Sequence, residues 1–326
     1  MLTVMQAVDV VVVGAGVSGL TTAVILLERG KRVLIRSATE PTATTSMVAG
    51  AMAGGPVMTE PLRDALRWNE IGLRVFGELA GRSESGVRMA QGRLVSRLAT
   101  EEPSWAASLP GYRPCTEQEF AGYPTAFWIS TPLIDMPVYL RYLWNRFEAA
   151  GGKLEVAPVS DLAELDAAVV VNCAGVGAGE LAGDPQVHPV RGQHVMVENP
   201  GLTEFFAEGG ASTEWTSYFP HAERVVLGGV ADIGDANLEP DPTQTEQILE
   251  RCIAVEPRLA GARVLGVEVG LRPGRSSIRV DSERRGNKLV VHNYGHGSVG
   301  IAMSWGCATD AADLCDGGRI GGGGLG

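Results

Sequence analysis

An α/β chain organised on a parallel, Rossmann-like sheet that binds a dinucleotide is predicted by three observations, all within residues 8–30. Val10, Val11, Val12 and Val13 are consecutive, the composition of a strand buried on both faces of a parallel sheet. Gly14, Gly16 and Gly19 follow at once in the spacing G-x-G-x-x-G. Leu20, Ala23, Val24 and Leu27 then recur at helical spacing and Gly30 closes the run, which is the pattern of a capped amphipathic helix. Gly14 permits the tight turn, Gly16 lets a pyrophosphate approach the backbone, and Gly19 lets the helix sit close to the strand. The helix start presents N–H groups and a positive dipole end to the same anion, so Ala15, Val17 and Ser18 join the three glycines as cofactor-binding candidates.

The bulk composition narrows the function classes. With 326 residues, 45% hydrophobic and 20% charged, the chain has room for two domains. A net charge of −11 and a pI of about 5.0 leave no basic field to hold nucleic acid or an anionic membrane surface. No run approaches 18 apolar residues, so no membrane span is expected. The five cysteines, Cys115, Cys173, Cys252, Cys307 and Cys315, are odd in number and scattered without a C-x-x-C pair. They point to a reduced cytoplasm and away from a disulfide framework or a metal site, with one pairing through Cys252 left open. Residues 1–8 lack the charged start and cleavage site of a signal peptide, and the glycine-rich end, residues 317–326, reads as a flexible tail.

Residues 32–36 (RVLIR) predict the second parallel strand. Such strands usually end in an acid that holds the ribose hydroxyls; here Arg36 stands there, fit to pair with a 2′-phosphate or to border an adenosine. Residues 42–56 (TATTSMVAGAMAGGP) are too short-chained for core, and read as a loop that lays its backbone against a flat ligand. A helix is expected over Asp64–Leu79. Residues 167–172 (AAVVVN) and 288–293 (KLVVHN) predict two more buried strands. Small residues at the end of the first, Cys173, Ala174 and Gly175, leave room for a ligand at the carboxyl edge of the sheet. The second runs into a glycine loop and an amphipathic helix. The segments 51–135 and 191–263 hold most of the aromatics, including Trp68, Trp105, Tyr123, Trp128, Trp215, Tyr218 and Phe219, and predict an antiparallel sheet with flanking helices that roofs the ligand.

GAGVSGL, TTSMVAG, VVNCAGVGAGEL, VRGQ, GLRPGRSSIRV and HNYGHGSVGIAMSWGCA occur in this order across nearly the whole chain. Together they resemble the D-amino acid oxidase family of FAD enzymes. The resemblance implies FAD as cofactor and an interleaved architecture. In it 1–50, 136–190 and 264–326 make the FAD-binding domain, and 51–135 with 191–263 make an α+β substrate domain on a mixed antiparallel sheet. It assigns to FAD, besides the residues above, Thr44, Thr45, Ser46, Ala49, Gly50 and Val159. It adds Gly297, Ser298, Val299, Gly300, Ile301 and Ala302, where a helix N-terminus would face the flavin pyrimidine carbonyls.

An amino-acid oxidase must hold a carboxylate, a task for a planar two-donor cation. Arg272 matches the family's carboxylate-binding arginine; Arg275 and Arg279 follow it as outer or surface residues. The family also sets a tyrosine hydroxyl by the carboxylate, three residues before a proline. Counting back from Pro220 gives Ser217, with Tyr218 one place late. Tyr218 is the expected residue, although strand alternation would turn it to the other side. Trp215 is a candidate lid or packing residue. Ser298 stands where the family has a glycine whose carbonyl receives the substrate ammonium. Met52 and Ala51 replace larger residues over the flavin. With no second arginine evident, neutral D-amino acids are favoured, a preference that His221 or Arg224 could overturn. The implied reaction is hydride transfer from the substrate Cα to flavin N5, with oxygen reduced to hydrogen peroxide. D-aspartate oxidation and glycine or sarcosine oxidation are the alternatives, a non-catalytic flavoprotein a more distant one, and a homodimer is the family habit.

Overall fold

The structure, a computed structural model, describes residues 8–55, 57–209 and 212–318. The expectations placed on residues 1–7 and 319–326, and on position 56, lie outside the described residues.

The strands in chain order are β1 (Val10–Val13), β2 (Val33–Ser37), β3 (Ala51–Met52), β4 (Val87–Ser96), β5 (Arg113–Pro114) and β6 (Thr125–Ile134). They continue as β7 (Lys153–Val156), β8 (Val169–Asn172), β9 (His188–Glu198), β10 (Phe205–Glu208) and β11 (Glu214–Pro220). The last are β12 (Arg224–Val230), β13 (Asp232–Ile233), β14 (Val264–Gly274), β15 (Arg279–Arg285) and β16 (Lys288–Tyr294). The helices are α1 (Val17–Glu28), α2 (Leu62–Leu79), α3 (Met136–Ala149), α4 (Ala178–Ala182), α5 (Pro242–Val255) and α6 (Ser304–Cys315).

Six strands form one sheet in the order β15-β16-β8-β1-β2-β7, parallel except at the β15 edge. All four valines of β1 are buried because the strand is central and both its faces are covered. Val10 and Val12 pack with α1, α3 and α6, whereas Val11 and Val13 pack with Leu162, Leu165, Val170 and Val290. The second sheet runs β13-β9-β12-β11-β10-β4-β6-β3, with β14 added on β9 and β5 on β6. Its α5 face buries Val195, Val197, Tyr218, Val225, Leu227, Ile248 and Cys252. The opposite face gathers Met196, Phe219, Val226, Leu133 and Phe127, with Met52 against them. This mixed α/β architecture, a Rossmann-like sheet beside a larger and mostly antiparallel one, is the fold class read from the sequence. Among the described residues no helix is long and apolar enough to cross a membrane, and all five cysteines are free.

Two stretches sit elsewhere than the expected domain division puts them. Residues 264–274, grouped with the dinucleotide-binding part, are β14 and pair along their length with β9 of the second sheet. The α2 segment, grouped with the substrate part, packs into the core of the first sheet through Ala65, Trp68, Phe76 and Leu79. Two glycines bring α2 and α6 together: a Cβ on Gly72 would lie 1.9 Å from the Ala302 carbonyl oxygen, and one on Gly306 2.4 Å from the Trp68 Cα. Buried Asp310 then accepts hydrogen bonds from Arg67 and, at 2.7 Å, from the Trp68 indole.

Candidate active site

The first site element is the turn from β1 into α1. Gly14 has φ +106°, and a Cβ there would sit 2.4 Å from the Cys173 carbonyl oxygen; one on Gly19 would sit 1.9 Å from the Gly14 carbonyl oxygen. Only glycine meets both demands, so the β1 turn, the end of β8 and the start of α1 interlock. Helix α1 begins at Gly16 with no side-chain cap and no acid in its first turn. The Val17 N–H donates to Ser46 Oγ at 3.0 Å, which ties the 42–56 loop to the helix start. Ala15 and Ser18 flank this helix start, and Cys173, Ala174 and Gly175 form its wall after β8.

Arg36 supplies a test of whether a dinucleotide suits these residues. Its carbonyl accepts from Gly14 N at 2.9 Å, so it lies at the rim of the turn. Among the described residues its Nε is sealed from solvent without a hydrogen-bond partner, and its only ion pair is a 3.7 Å contact with Glu155. An unpaired buried donor beside a cradle that any Cβ would fill, at an acid-free helix start, fits FAD. Val159, in the loop after β7, packs with the Val11 and Val13 side of the sheet.

The loop Thr44–Gly50 holds the short 3-10 turn Thr45–Val48 and approaches β14 and β11. A Cβ on Gly270 would lie 2.8 Å from Val48 and 3.0 Å from Thr45, and one on Gly50 would lie 3.0 Å from the Phe219 ring. Ala49 packs on the core of the first sheet. The other loop, from Gly297 to Ala302, departs from expectation in one respect. Regular helix begins only at Ser304, so Gly297, Ser298, Val299, Gly300, Ile301 and Ala302 form a turn ahead of α6 and not its first turn. Gly297 and Gly295 both have positive φ, +53° and +80°, which delays the helix. Gly297 N donates to the Pro273 carbonyl at 2.9 Å and so fixes this turn next to Arg272. Ser298 is exposed, and no hydrogen bond engages its hydroxyl or its carbonyl among the described residues.

Arg272 is partly buried on β14. Its Nη1 donates to the Val230 carbonyl at 3.0 Å and to the Arg191 carbonyl at 3.5 Å; no partner engages Nη2 or Nε among the described residues. The guanidinium lies on Gly192, where a Cβ would come within 2.2 Å of Nη1. The Trp215 ring covers it at 5.4 Å, and Trp215 itself leans on Gly229. Burial holds the Arg272 pKa below the usual guanidinium value, with Asp232 acting the other way. The group keeps its charge all the same. Trp215 is thus packed over the cation in this structure. Arg275 and Arg279 are engaged elsewhere: Arg275 pairs with Asp184 at 2.9 Å, and Arg279 bonds the Tyr294 hydroxyl at 2.7 Å and Asp281 at 3.0 Å.

Tyr218 does not join this group. It is buried on the α5 face of the second sheet, stacks on Phe206 at 5.6 Å, and points its hydroxyl to Arg93 at 3.4 Å. The cause is strand alternation, which turns neighbouring residues of β11 to opposite faces. Ser217 takes the pocket side: its Oγ donates to the Gly228 carbonyl at 3.3 Å, and a Cβ on Gly228 would lie 3.2 Å from it. Met52, on β3, packs with the Phe219 face of the sheet. One residue went unread in the sequence, His194. It lies on β9 two places after Gly192, and its Cδ2 would be 2.7 Å from a Cβ on Gly228. Its Nδ1 is 3.0 Å from the Val48 carbonyl. Burial and then Arg272 push its pKa down to about 4, against the pull of the Val48 carbonyl. A histidine between RGQ and the apolar run VMV was the available signal. A cavity of about 340 Å³ adjoins the loop at Met47, Val48 and Ala49 and reaches Met196, His221 and Glu268.

Residues 9–314 match the FAD dependent oxidoreductase (DAO) family. A D-amino-acid oxidase of Streptomyces coelicolor is 47% identical over 94% of this chain and 96% of its own length. A D-aspartate oxidase of Homo sapiens is 36% identical over 95% of each chain. Among solved structures, glycine oxidase from Geobacillus kaustophilus superposes with a TM-score of 0.80 at 21% identity, over 96% of this chain and 95% of that one. That last likeness is one of fold.

Proposed function

Because the chain belongs to the FAD dependent oxidoreductase family, we propose that it is an FAD-dependent D-amino-acid oxidase, which oxidises neutral D-amino acids to imino acids while oxygen is reduced to hydrogen peroxide, water then hydrolysing the imino acid to a 2-oxo acid and ammonia. The observation that carries this reading is Arg272, a desolvated guanidinium with two unengaged donors, held beside the glycine turn by the Gly297–Pro273 hydrogen bond. When bound, FAD accepts a hydride from the substrate Cα and passes the two electrons to oxygen.

The remaining work belongs to the chain. Gly14, Gly16, Gly19 and the start of α1 hold the pyrophosphate, Arg36 borders the adenosine, and Thr44–Gly50 with Gly297–Ala302 hold the ring. Arg272 takes the substrate carboxylate in a two-donor fork, Trp215 shields that ion pair from water, and the Ser298 carbonyl receives the amine. Tyr218 has no part. Neutral side chains are favoured because the nearby Arg224 is engaged by Asp135 at 2.6 Å, and burial pushes the His221 pKa down to about 4, leaving its ring uncharged. The first sheet with α1, α2, α3 and α6 would be the FAD-binding unit, and the second sheet with α5 the substrate unit. The reading includes a cytoplasmic location, in keeping with the free cysteines, and a homodimer, to be measured by analytical ultracentrifugation.

Anaerobic titration of the holoenzyme with D- and L-alanine, D-valine, D-phenylalanine and D-aspartate, followed in the visible, tests the proposal. Bleaching with the neutral D-enantiomers alone, reversed with peroxide on admitting air, is the expected result. A flavin band unmoved by every D-amino acid overturns it. Bleaching by D-aspartate in preference to the others would transfer the reading to D-aspartate oxidation.

A further inference from the structure

Resting on the oxidase reading above, we infer that His194 sets the side-chain preference of the site, selecting D-amino acids whose short side chain carries an O–H or N–H donor. His194 and Gly192 share one face of β9, two residues apart, and Gly192 lies directly under the Arg272 guanidinium. Two residues of strand span about 7 Å. An amino acid bridges that separation with its carboxylate on Arg272 and a short polar side chain at His194.

The chemistry of the ring follows from its partner. A carbonyl only accepts, so the 3.0 Å contact with Val48 O requires a proton on Nδ1. Burial and the neighbouring Arg272 keep the ring neutral, which leaves Nε2 a bare acceptor. It has no hydrogen-bond partner among the described residues and is not among the unpaired nitrogens sealed from solvent. Glu268 stands directly opposite on β14, but it lines the neighbouring cavity with His221 and Arg224, so Nε2 is the acceptor the side chain meets. Gly228 keeps the space open, since a Cβ there would be 2.7 Å from the ring and 3.2 Å from Ser217 Oγ. That acceptor rewards hydroxyl and amide side chains, whose donors it can receive. An alkyl group leaves Nε2 dry and unpaired.

Near-isosteric pairs read this directly: D-serine against D-2-aminobutyrate, and D-asparagine against D-leucine, as ratios of kcat/KM in the holoenzyme. The wild type is expected to favour the donor-bearing member of each pair. His194→Leu should lower both ratios about 5- to 10-fold, the worth of one hydrogen bond. His194→Gln, which keeps an acceptor, should recover part of the preference. Ratios unchanged within twofold in a His194→Leu enzyme that retains its flavin would overturn the inference. So would a wild type that prefers the alkyl member of both pairs, a result that needs no variant. A wild type that oxidises D-alanine but shows no His194 dependence sinks this inference alone. One that oxidises no D-amino acid sinks the oxidase reading first and this one with it.

Discussion

Replacing Arg272 with methionine separates the arginine's catalytic work from its structural work. Two guanidinium donors, Nη2 and Nε, have no partner among the described residues. Each charge-assisted hydrogen bond to a substrate carboxylate contributes about 1.5–3 kcal/mol. Losing both removes about 3–6 kcal/mol, or about 10²–10⁴ in kcat/KM, at 1.4 kcal/mol per factor of ten. Lysine keeps the charge but offers no planar fork, so Arg272→Lys should lose about 10–10². Stability should move far less. Methionine gives up the bonds to the Val230 and Arg191 carbonyls, yet it also relieves the desolvation that depresses the arginine's pKa. Swaps of this kind change stability by about 1 kcal/mol, a shift of roughly 1–2 °C in Tm for a chain this size. The assay is oxygen consumption with D-alanine, alongside Tm and flavin absorbance of the same preparation. An Arg272→Met enzyme within tenfold of wild type would refute the reasoning, because the carboxylate would then be held by another group. Loss of activity together with loss of flavin and a collapse in Tm would refute the separation of the two roles.

Three further outcomes follow from the same geometry. Gly19→Ala puts a methyl 1.9 Å from the Gly14 carbonyl, backbone that cannot yield; the variant should lose about 1–3 kcal/mol of stability and leave purification with little flavin, and a normal ratio of visible to 280 nm absorbance would contradict this. Tyr218→Phe should keep kcat/KM within about twofold and cost about 0.5–1 kcal/mol, the worth of one long hydrogen bond; a hundredfold fall in kcat/KM would bring Tyr218 back to the substrate. The third concerns acid. His296 is buried with its Nε2 3.0 Å from Asn293 Oδ1, and burial pushes its pKa down to about 4. Between about pH 6.5, where an unfolded histidine titrates, and pH 4 the unfolded chain binds the extra proton. Stability therefore falls on acidification through that window, with a slope of up to about 1.4 kcal/mol per pH unit from this residue. Urea unfolding at pH 7, 6 and 5 should show a steeper loss for wild type than for His296→Asn; parallel curves would dismiss the assignment.

What local sequence decides here is whatever depends on nearest neighbours along the chain. Four valines followed by G-x-G-x-x-G were enough to specify a buried strand, a turn and a helix, because each glycine answers a backbone demand within a few residues. The order of motifs through Arg272 likewise carried the family, the cofactor and the carboxylate-binding candidate. Position across the sheets was a different matter. Alternation warned that Ser217 and Tyr218 face opposite ways, but only the pairing of β11 with β10 and β12 decided which way is inward. Residues 264–274 looked like part of the dinucleotide-binding half by sequence neighbourhood, and hydrogen bonding to β9 moved them to the other sheet. His194 is one of several polar residues in β9 until the Val48 carbonyl, Gly228 and Arg272 converge on it from three other segments. Its proton, and with it the donors it can accept, is set by those long-range neighbours. Short-range sterics write the elements into the sequence. The faces they turn to one another, and the charge states that follow, exist only once distant strands have paired.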